Sequence, residues 1–303
     1  MKTDVCIVGD GIVGRTLSLL LAQTGLEVTL VQATTPTSTS TSTSPDVRAY
    51  ALSAASQGIL ESVRAWPTNP QDVGPISAMR IFDGQHLPVR FDAKAMQTSA
   101  LAFMVAAPTL LDSLAQAIRF NPKITLANQA QEATLQVICE GRSGQLRQQL
   151  GVEFTSQSYE QTAVAFKVKH SHPHEQVARQ WFENGDIIAM LPMANQECSV
   201  VWSCSPEKAQ QLLALNEQPE KVAEQLSQIG QGVLGATYGS LELLSPCQAW
   251  PLVRSTAIQW TGPSWVLAGD AAHTVHPLTG QGLNLGLADA AELSKVLANR
   301  PSW

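Results

Sequence analysis

The chain has 303 residues, 44% of them apolar and 15% charged, and its 19 Lys and Arg against 25 Asp and Glu give a net charge of −6. That apolar share excludes intrinsic disorder over most of the length, and with no cluster of basic residues anywhere the sequence excludes a nucleic-acid partner. At about 150 residues per domain two domains are expected, and no apolar run approaches the roughly 18–20 residues needed to cross a bilayer.

Asp4-Val5-Cys6-Ile7-Val8 reads as a buried strand, Gly9 to Gly14 as a tight turn, and Arg15 to Thr24 as a helix with Leu17, Leu20 and Leu21 inward. Gly25 ends that helix and Val28-Thr29-Leu30-Val31 is a second strand, so the unit predicts a parallel sheet with a right-handed crossover. Asp4, Asp10 and Arg15 interrupt the apolar run that a signal peptide requires. Residues 34–45 are a Ser/Thr/Pro tract of low complexity, expected as a solvated linker without chemistry.

Asp46 to Ala65 carries a helical pattern, and from Ile76 to Phe91 the pattern changes to short strands, Met79–Phe82 and Leu87–Phe91, around Asp83-Gly84-Gln85. The change marks passage into a second, sheet-containing domain. Pro108 to Ile118 is an amphipathic helix with Leu110, Leu111, Leu114 and Ile118 inward, which returns the chain to the first domain. The strand Leu135–Cys139 leads into Glu140-Gly141. Strands follow around 160–169, 187–192 and 198–204, then a helix near 206–229. Trp265–Ala268 is a strand ending at Gly269-Asp270, and Gly280 to Leu297 is a helix rich in small residues.

Gly9-Asp10-Gly11-Ile12-Val13-Gly14 fits G-x-G-x-x-G between a strand and a helix, the setting in which that motif binds a dinucleotide. Its glycines permit the turn and let the backbone approach a pyrophosphate, while the helix N-terminus offers N–H groups and positive dipole. The acid expected at the end of the second strand, for ribose hydroxyls, is replaced by Gln32, an uncharged acceptor. Near the other end, Asp270 at a strand end would hold a polyol hydroxyl, and the N–H groups of Gln281 to Leu283 at a helix start would face an electron-rich carbonyl. A dehydrogenase holding only a nicotinamide leaves this second element unexplained.

Other features have plainer readings. His170-Ser171-His172-Pro173-His174 reads as an exposed loop rather than a metal site. His273 and His276 flank the second element, where packing and proton transfer are both open. Five cysteines without a CxxC pair suit reduced thiols. Trp181, Phe182, Trp202, Trp250 and Trp260 either line an apolar pocket or fill a core.

Together the G-x-G-x-x-G, the segment Glu140-Gly141-Arg142-Ser143 with Arg147, and Gly269-Asp270 followed by Gly280-Gln281-Gly282-x-Asn284-x-Gly286-x-x-Asp289 resemble the three fingerprints of the FAD-dependent aromatic hydroxylases typified by p-hydroxybenzoate hydroxylase. Asp46-Val47-Arg48-Ala49-Tyr50-Ala51-Leu52-Ser53, Tyr159-x-Gln161 and Ala272-His273-Thr274-Val275-His276-Pro277 are most similar to the ubiquinone-biosynthesis hydroxylases, those acting on 2-polyprenyl-6-methoxyphenol among them. The resemblance implies an α/β fold in which a Rossmann-like FAD domain (1–75, 107–150 and 256–303) is interleaved with a β-sheet substrate domain (76–106 and 151–255). It implies a monooxygenase that uses FAD, NAD(P)H and O2 and hydroxylates a polyprenylphenol through a flavin C4a-hydroperoxide. Gly9, Gly11, Gly14, Gln32, Arg48, Glu140, Gly269, Asp270, Gly282, Leu283 and Asn284 would bind the cofactor. Pro277, Gly280, Gln281 and Gly282 would form the flavin-ring surroundings, with no acid or base assigned.

The resemblance further implies a lipid substrate, a place in a ubiquinone-biosynthesis enzyme complex, a cytoplasmic protein in transient contact with the inner membrane's cytoplasmic face, and room for homo-oligomerisation. Members of that family typically continue into further C-terminal helices, so the end at Trp303 is read as a shortened chain. Two departures, Gln32 in place of the expected acid and Glu140 where the family usually has aspartate, keep an alternative open: a flavin-binding scaffold of the same fold with weakened turnover.

Overall fold

A computed structural model describes residues 3–32, 46–84, 86–142, 144–276 and 280–300. The first unit is β1 (Thr3–Val8), α1 (Ile12–Gln23) and β2 (Val28–Val31). Strands β1 and β2 pair in parallel, Val5 opposite Val28 and Val8 opposite Val31. All of β2 is buried and only Asp4 of β1 is partly open, so both strands are continuous apolar runs covered on two faces. Residues 34–45 lie outside the described residues.

Next come β3 (Ala49–Leu52), α2 (Ala54–Ser62), β4 (Val73–Ile76), β5 (Ala78–Phe82), β6 (Val89–Asp92) and β7 (Ala102–Ala106). The helical pattern over Asp46 to Ala65 is therefore only half a helix. Strand β7 pairs antiparallel with β3, Tyr50 opposite Val105, and this distant partner holds 49–52 extended. Ser53 then starts α2, its hydroxyl accepting the Ser56 N–H at 3.2 Å.

α3 (Ala107–Arg119), β8 (Ile124–Ala127) and β9 (Ala133–Ile138) return the chain to the first sheet. Pro108 lies in the first turn of α3, where its missing N–H costs no bond, and Leu110, Leu114 and Ile118 are buried. Each such side chain contributes roughly 1.5–3 kcal/mol by leaving water.

The rest runs α4 (Leu146–Gln149), β10 (Phe154–His170), β11 (Val177–Glu183), β12 (Asp186–Pro192) and β13 (Glu197–Cys204). After these come α5 (Pro206–Ala214), α6 (Pro219–Ser227), α7 (Val233–Tyr238), β14 (Leu241–Leu243) and β15 (Gln248–Ala257). Last are β16 (Thr261–Gly262), β17 (Trp265–Leu267), β18 (His273–Thr274) and α8 (Gln281–Ala298). The helix expected near 206–229 is broken in two, because Pro219 has no N–H to continue α5 and instead opens α6. The expected His170 loop is also corrected. His170 ends β10 with 3% exposure, its Nδ1 2.7 Å from the His172 carbonyl oxygen.

Among the described residues the strands form three sheets. The first has the order β16-β17-β9-β1-β2-β8, parallel throughout except for the β16–β17 hairpin. The second runs β18-β15-β10-β13-β12-β11-β5-β6, with β14 added to β10, and is antiparallel except where β5 meets β11. The third is β3-β7-β4. One core, with Leu17, Leu21, Leu110, Leu114 and Leu287, packs helices on the first sheet. Another, with Phe166, Trp202, Leu226 and Tyr238, lies between the second sheet and its helices. Ile76, Met104, Ala178 and Met193 join the second sheet to the third. The architecture is the mixed α/β fold expected from the sequence.

Candidate functional site

The three turn glycines have different physical reasons. Gly9 has φ +116°, and a Cβ there would lie 2.4 Å from the Cys139 carbonyl oxygen at the end of β9. A Cβ on Gly14 would lie 1.9 Å from the Gly9 carbonyl oxygen, so α1 can approach the turn only without one. At Gly11 no described atom comes within 4 Å of that position. Nothing in the chain's own described packing therefore demands glycine at 11, which is what a close-approaching ligand would require. Gly11 is also the N-cap of α1, with no side-chain cap and no acid in the first turn, leaving the helix amides and dipole directed at this space. The Cys139 thiol beneath is pushed up to about 12 by burial and stays protonated.

The second element meets the first at Val13. A Cβ on Gly286 would be 2.7 Å from a Val13 methyl, and one on Gly269, which has φ +65°, would be 3.3 Å from the same methyl. Thus α1, the 269 turn and α8 touch at one point. Asp289 on α8 fastens the turn: its Oδ2 accepts the Gly269 N–H at 2.9 Å and lies 2.7 Å from His273 Nε2. The hydrogen bond to Asp289 raises the His273 pKa above its ordinary value, and the Trp260 ring stacks on His273 at 5.1 Å and 20°. On the other side Arg147, 7% exposed, donates to the Ala271 carbonyl at 3.3 Å and covers the Phe154 ring at 4.4 Å. Between these fasteners the Asp270 side chain is open. The surrounding protein raises its pKa, while His273, Arg142, Arg48 and Arg147 pull it back.

Helix α8 begins at Gly280, in the left-handed region with φ +64°, where a Cβ would meet the Ala51 methyl at 3.4 Å. Among the described residues no side chain caps this terminus, and no acid lies in its first turn. Gln281 is exposed, Gly282 has no described atom within 4 Å of a built Cβ, and Leu283 packs partly on the core. Asn284 sets the position of this terminus. Its Oδ1 accepts from Ser53 N at 2.9 Å and Ser56 Oγ at 2.7 Å, and its Nδ2 donates to the carbonyls of Ala51 at 2.8 Å and Gly280 at 3.0 Å. With every polar site used inside the chain, Asn284 is a positioning residue. Asn284→Ala is expected to cost about 2 kcal/mol by leaving partly buried groups unpaired. At this chain length that lowers Tm by roughly 3 °C in a thermal scan of the apoprotein.

Arg48 is gripped by Asp46, with contacts of 2.9 and 3.1 Å to Nε and 2.6 Å to an outer nitrogen, and these bonds raise its pKa further. Gln32 stands half-buried at the end of β2, its N–H on the Ala127 carbonyl at 2.8 Å. The Glu140 carboxylate accepts the Leu146 N–H at 2.9 Å and so closes the turn into α4, which carries Arg147. Pro277 lies outside the described residues. His276 meets the Tyr159 ring edge-on at 4.6 Å, and burial lowers its pKa. Trp181 and Trp202 belong to the core under the helices of the second sheet, whereas Trp260 reaches the site through His273.

The structure thus brings Gly9, Gly11, Gly14, Gly269, Asp270 and Gly286 together, along with Val13, Trp260 and Asp289, which the sequence reading had not counted among the cofactor-binding residues. Asp289 had a visible signal, an acid beside the inward positions Gly286, Leu287 and Ala290 of a small-residue helix. Two uncapped helix N-termini, a glycine beside open space and an open carboxylate suit a ligand with a diphosphate, polyol hydroxyls and an electron-rich ring edge.

Comparison with known proteins gives the same picture. The family model described as an FAD binding domain matches residues 2–134 and 127–300. The 3-demethoxyubiquinol 3-hydroxylase of Escherichia coli (strain K12) is 30% identical over 326 residues, which cover 99% of this chain and 81% of that protein. Ubiquinone hydroxylase UbiL of Rhodospirillum rubrum is 28% identical over 97% of this chain and 72% of its own. Among solved structures, PqsL, a probable FAD-dependent monooxygenase from Pseudomonas aeruginosa, superposes with a TM-score of 0.80 at 18% identity, covering 98% of this chain and 86% of that one. At that identity the likeness speaks for the fold alone.

Proposed function

Because this chain belongs to the FAD-binding-domain family of aromatic hydroxylases, and within it to the ubiquinone-biosynthesis hydroxylases, we propose that it hydroxylates the ring of a polyprenylphenol at the site built around Val13. It is an FAD-dependent monooxygenase, with NAD(P)H and O2 as the family's co-substrates. The carrying observation is the pair of uncapped helix N-termini, α1 and α8, held together through Val13 with Asp270 open beside them.

When bound, FAD accepts reducing equivalents from NAD(P)H and activates O2 for transfer of one oxygen atom to the ring. The chain's own part is binding, charge and exclusion of water. The α1 amides above Gly11 hold the diphosphate, and Asp270 accepts a hydroxyl of the polyol linker. The amides of Gly282 and Leu283 stabilise negative charge at the ring's carbonyl edge. Ile76, Met104, Ala178 and Met193, buried where the second sheet meets the third, make that junction apolar, which suits a prenylated ring lying beside it. In this reading 1–75, 107–150 and 256–303 form the cofactor unit, and 76–106 with 151–255 the substrate unit. The names of the relatives support a lipid phenol as substrate and a biosynthetic assembly as context.

The test is a visible spectrum of the purified protein, followed by NADPH and a short-chain prenylphenol under air, with mass spectrometry of the product. Flavin absorbance and a product one oxygen heavier are expected. A colourless protein that takes up no FAD overturns the cofactor site. Bound FAD with no product from several phenols favours the scaffold alternative. Asp270→Ala is expected to weaken FAD binding at least tenfold, about 1.4 kcal/mol; unchanged retention through dialysis refutes the part given to that carboxylate.

A further inference from the structure

One edge of the second sheet ends in β6, whose outward surface is apolar. Leu87 is 91% exposed, Met96 63%, Val89 54% and Phe91 44%, all within ten residues. Isolated exposed apolar side chains are ordinary, but Val89 and Phe91 on β6, with Leu87 just before it and Met96 in the turn just after it, cluster at a sheet edge that no other described strand covers and form an interaction surface. The register shows where this surface leads. Val89 lies opposite Ile81 and Phe91 opposite Met79, so all four share one face. Met79 in turn lies opposite Ala178 and packs on the apolar cluster of Ile76, Met104, Ala178 and Met193. The exposed edge and the buried apolar junction of the second and third sheets are thus two ends of one apolar face.

The charges around the edge select its partner. On the opposite face Arg80 donates to Asp92 at 3.0 Å and to the Phe91 carbonyl at 3.2 Å, which neutralises the carboxylate of β6. Arg90 and Lys94 are exposed. Residues 78–96 hold three Lys and Arg against two Asp in a chain of net charge −6, so the apolar edge carries the sign opposite to the whole molecule. A second copy laid antiparallel on the same edge would bring these cations towards each other, whereas a surface of anionic headgroups over acyl chains satisfies both features.

We propose that the β5–β6 edge is the surface by which this protein docks on an anionic lipid bilayer, with Leu87, Val89, Phe91 and Met96 at the boundary of headgroups and acyl chains and Arg90 and Lys94 among the headgroups. The inference rests on the lipid-phenol reading in one respect: the apolar face from Phe91 to Met79 is the path by which the prenyl tail passes between bilayer and site.

Sedimentation of the FAD-loaded full chain with vesicles of phosphatidylcholine and phosphatidylglycerol (3:1), against pure phosphatidylcholine, tests the docking. The protein is expected to pellet with the anionic vesicles. The double variant Leu87→Asp/Phe91→Asp should lower the partition coefficient more than tenfold, and Arg90→Glu/Lys94→Glu several-fold on anionic vesicles only. FAD content and Tm should stay at wild-type values in both, since all four side chains are exposed. A wild-type protein that stays in the supernatant overturns the proposal, as do variants that pellet like wild type. Light scattering that shows a dimer dissociated by Leu87→Asp/Phe91→Asp reassigns the edge to a second copy and also overturns it. Turnover of a water-soluble phenol separates the two readings. Its failure with vesicle binding intact removes the substrate assignment and leaves the docking, and vesicle binding lost with turnover intact does the reverse.

Discussion

Gly14→Ala is expected to lower stability by about 3 kcal/mol, to lower Tm by roughly 5 °C, and to leave no retained flavin. Gly11→Ala is expected to leave the apoprotein's Tm within about 1 °C while weakening FAD binding more than tenfold. The contrast follows from what each added methyl meets. At 14 it lands 1.9 Å from the Gly9 carbonyl oxygen, which is backbone, and Gly9 is itself pressed against Cys139. Neither side can yield without moving α1 off the sheet. At 11 the methyl enters space with no described atom within 4 Å, and φ −71° with ψ −178° is open to any residue. Only a ligand close to the backbone would feel it. Thermal scans of both apoproteins and fluorescence titration with FAD check the pair. Equal FAD affinity in Gly11→Ala and wild type would refute a diphosphate at this turn.

Asp289→Ala should have a comparable effect by a different route. One carboxylate oxygen holds both the Gly269 N–H and the His273 ring, and their side chains are 25% exposed for Asp289 and 12% for His273, so solvent replaces these bonds poorly. Removal leaves a backbone donor and an imidazole without their partner and should cost about 3 kcal/mol. The 269 turn carries Asp270, so FAD affinity should fall with it. The pair also has a pH signature. Asp289 raises the His273 pKa above 6.5, so its stabilisation is fully present below that value and is lost as pH rises through the raised value. Wild-type Tm measured between pH 6 and 9 should therefore include a falling component that Asp289→Asn lacks. Parallel curves for the two proteins would show that the pair is not the source.

Much of the architecture was legible because it rests on local patterns. The continuous apolar runs of β1 and β2, the glycine turn before α1 and the 3–4 spacing of Leu110, Leu114 and Ile118 each declare an element within a dozen residues. Strands whose partners lie far along the chain were harder. Residues 49–52 carry a helical pattern and are extended because β7, some fifty residues later, offers an edge. Strands β11 and β15 were not read at all; both are interior to the second sheet, placed by their neighbours β12 and β10.

The candidate site divides in the same way. Its glycines and Asp270 stood out because a turn, a strand end and a helix start each leave a local mark. By itself the sequence determined the α/β class, the two glycine-bearing turns and the family, since these depend on residue types at short, fixed spacing. Only the tertiary structure decided that Val13 joins the two turns, that Asp289 and Arg147 hold the 269 turn from opposite sides, that the Asn284 amide is committed within the chain, and that Gly11 alone among the first three glycines faces open space. Those facts depend on which distant backbone or side chain arrives within about 3 Å, and no spacing along the chain encodes that arrival.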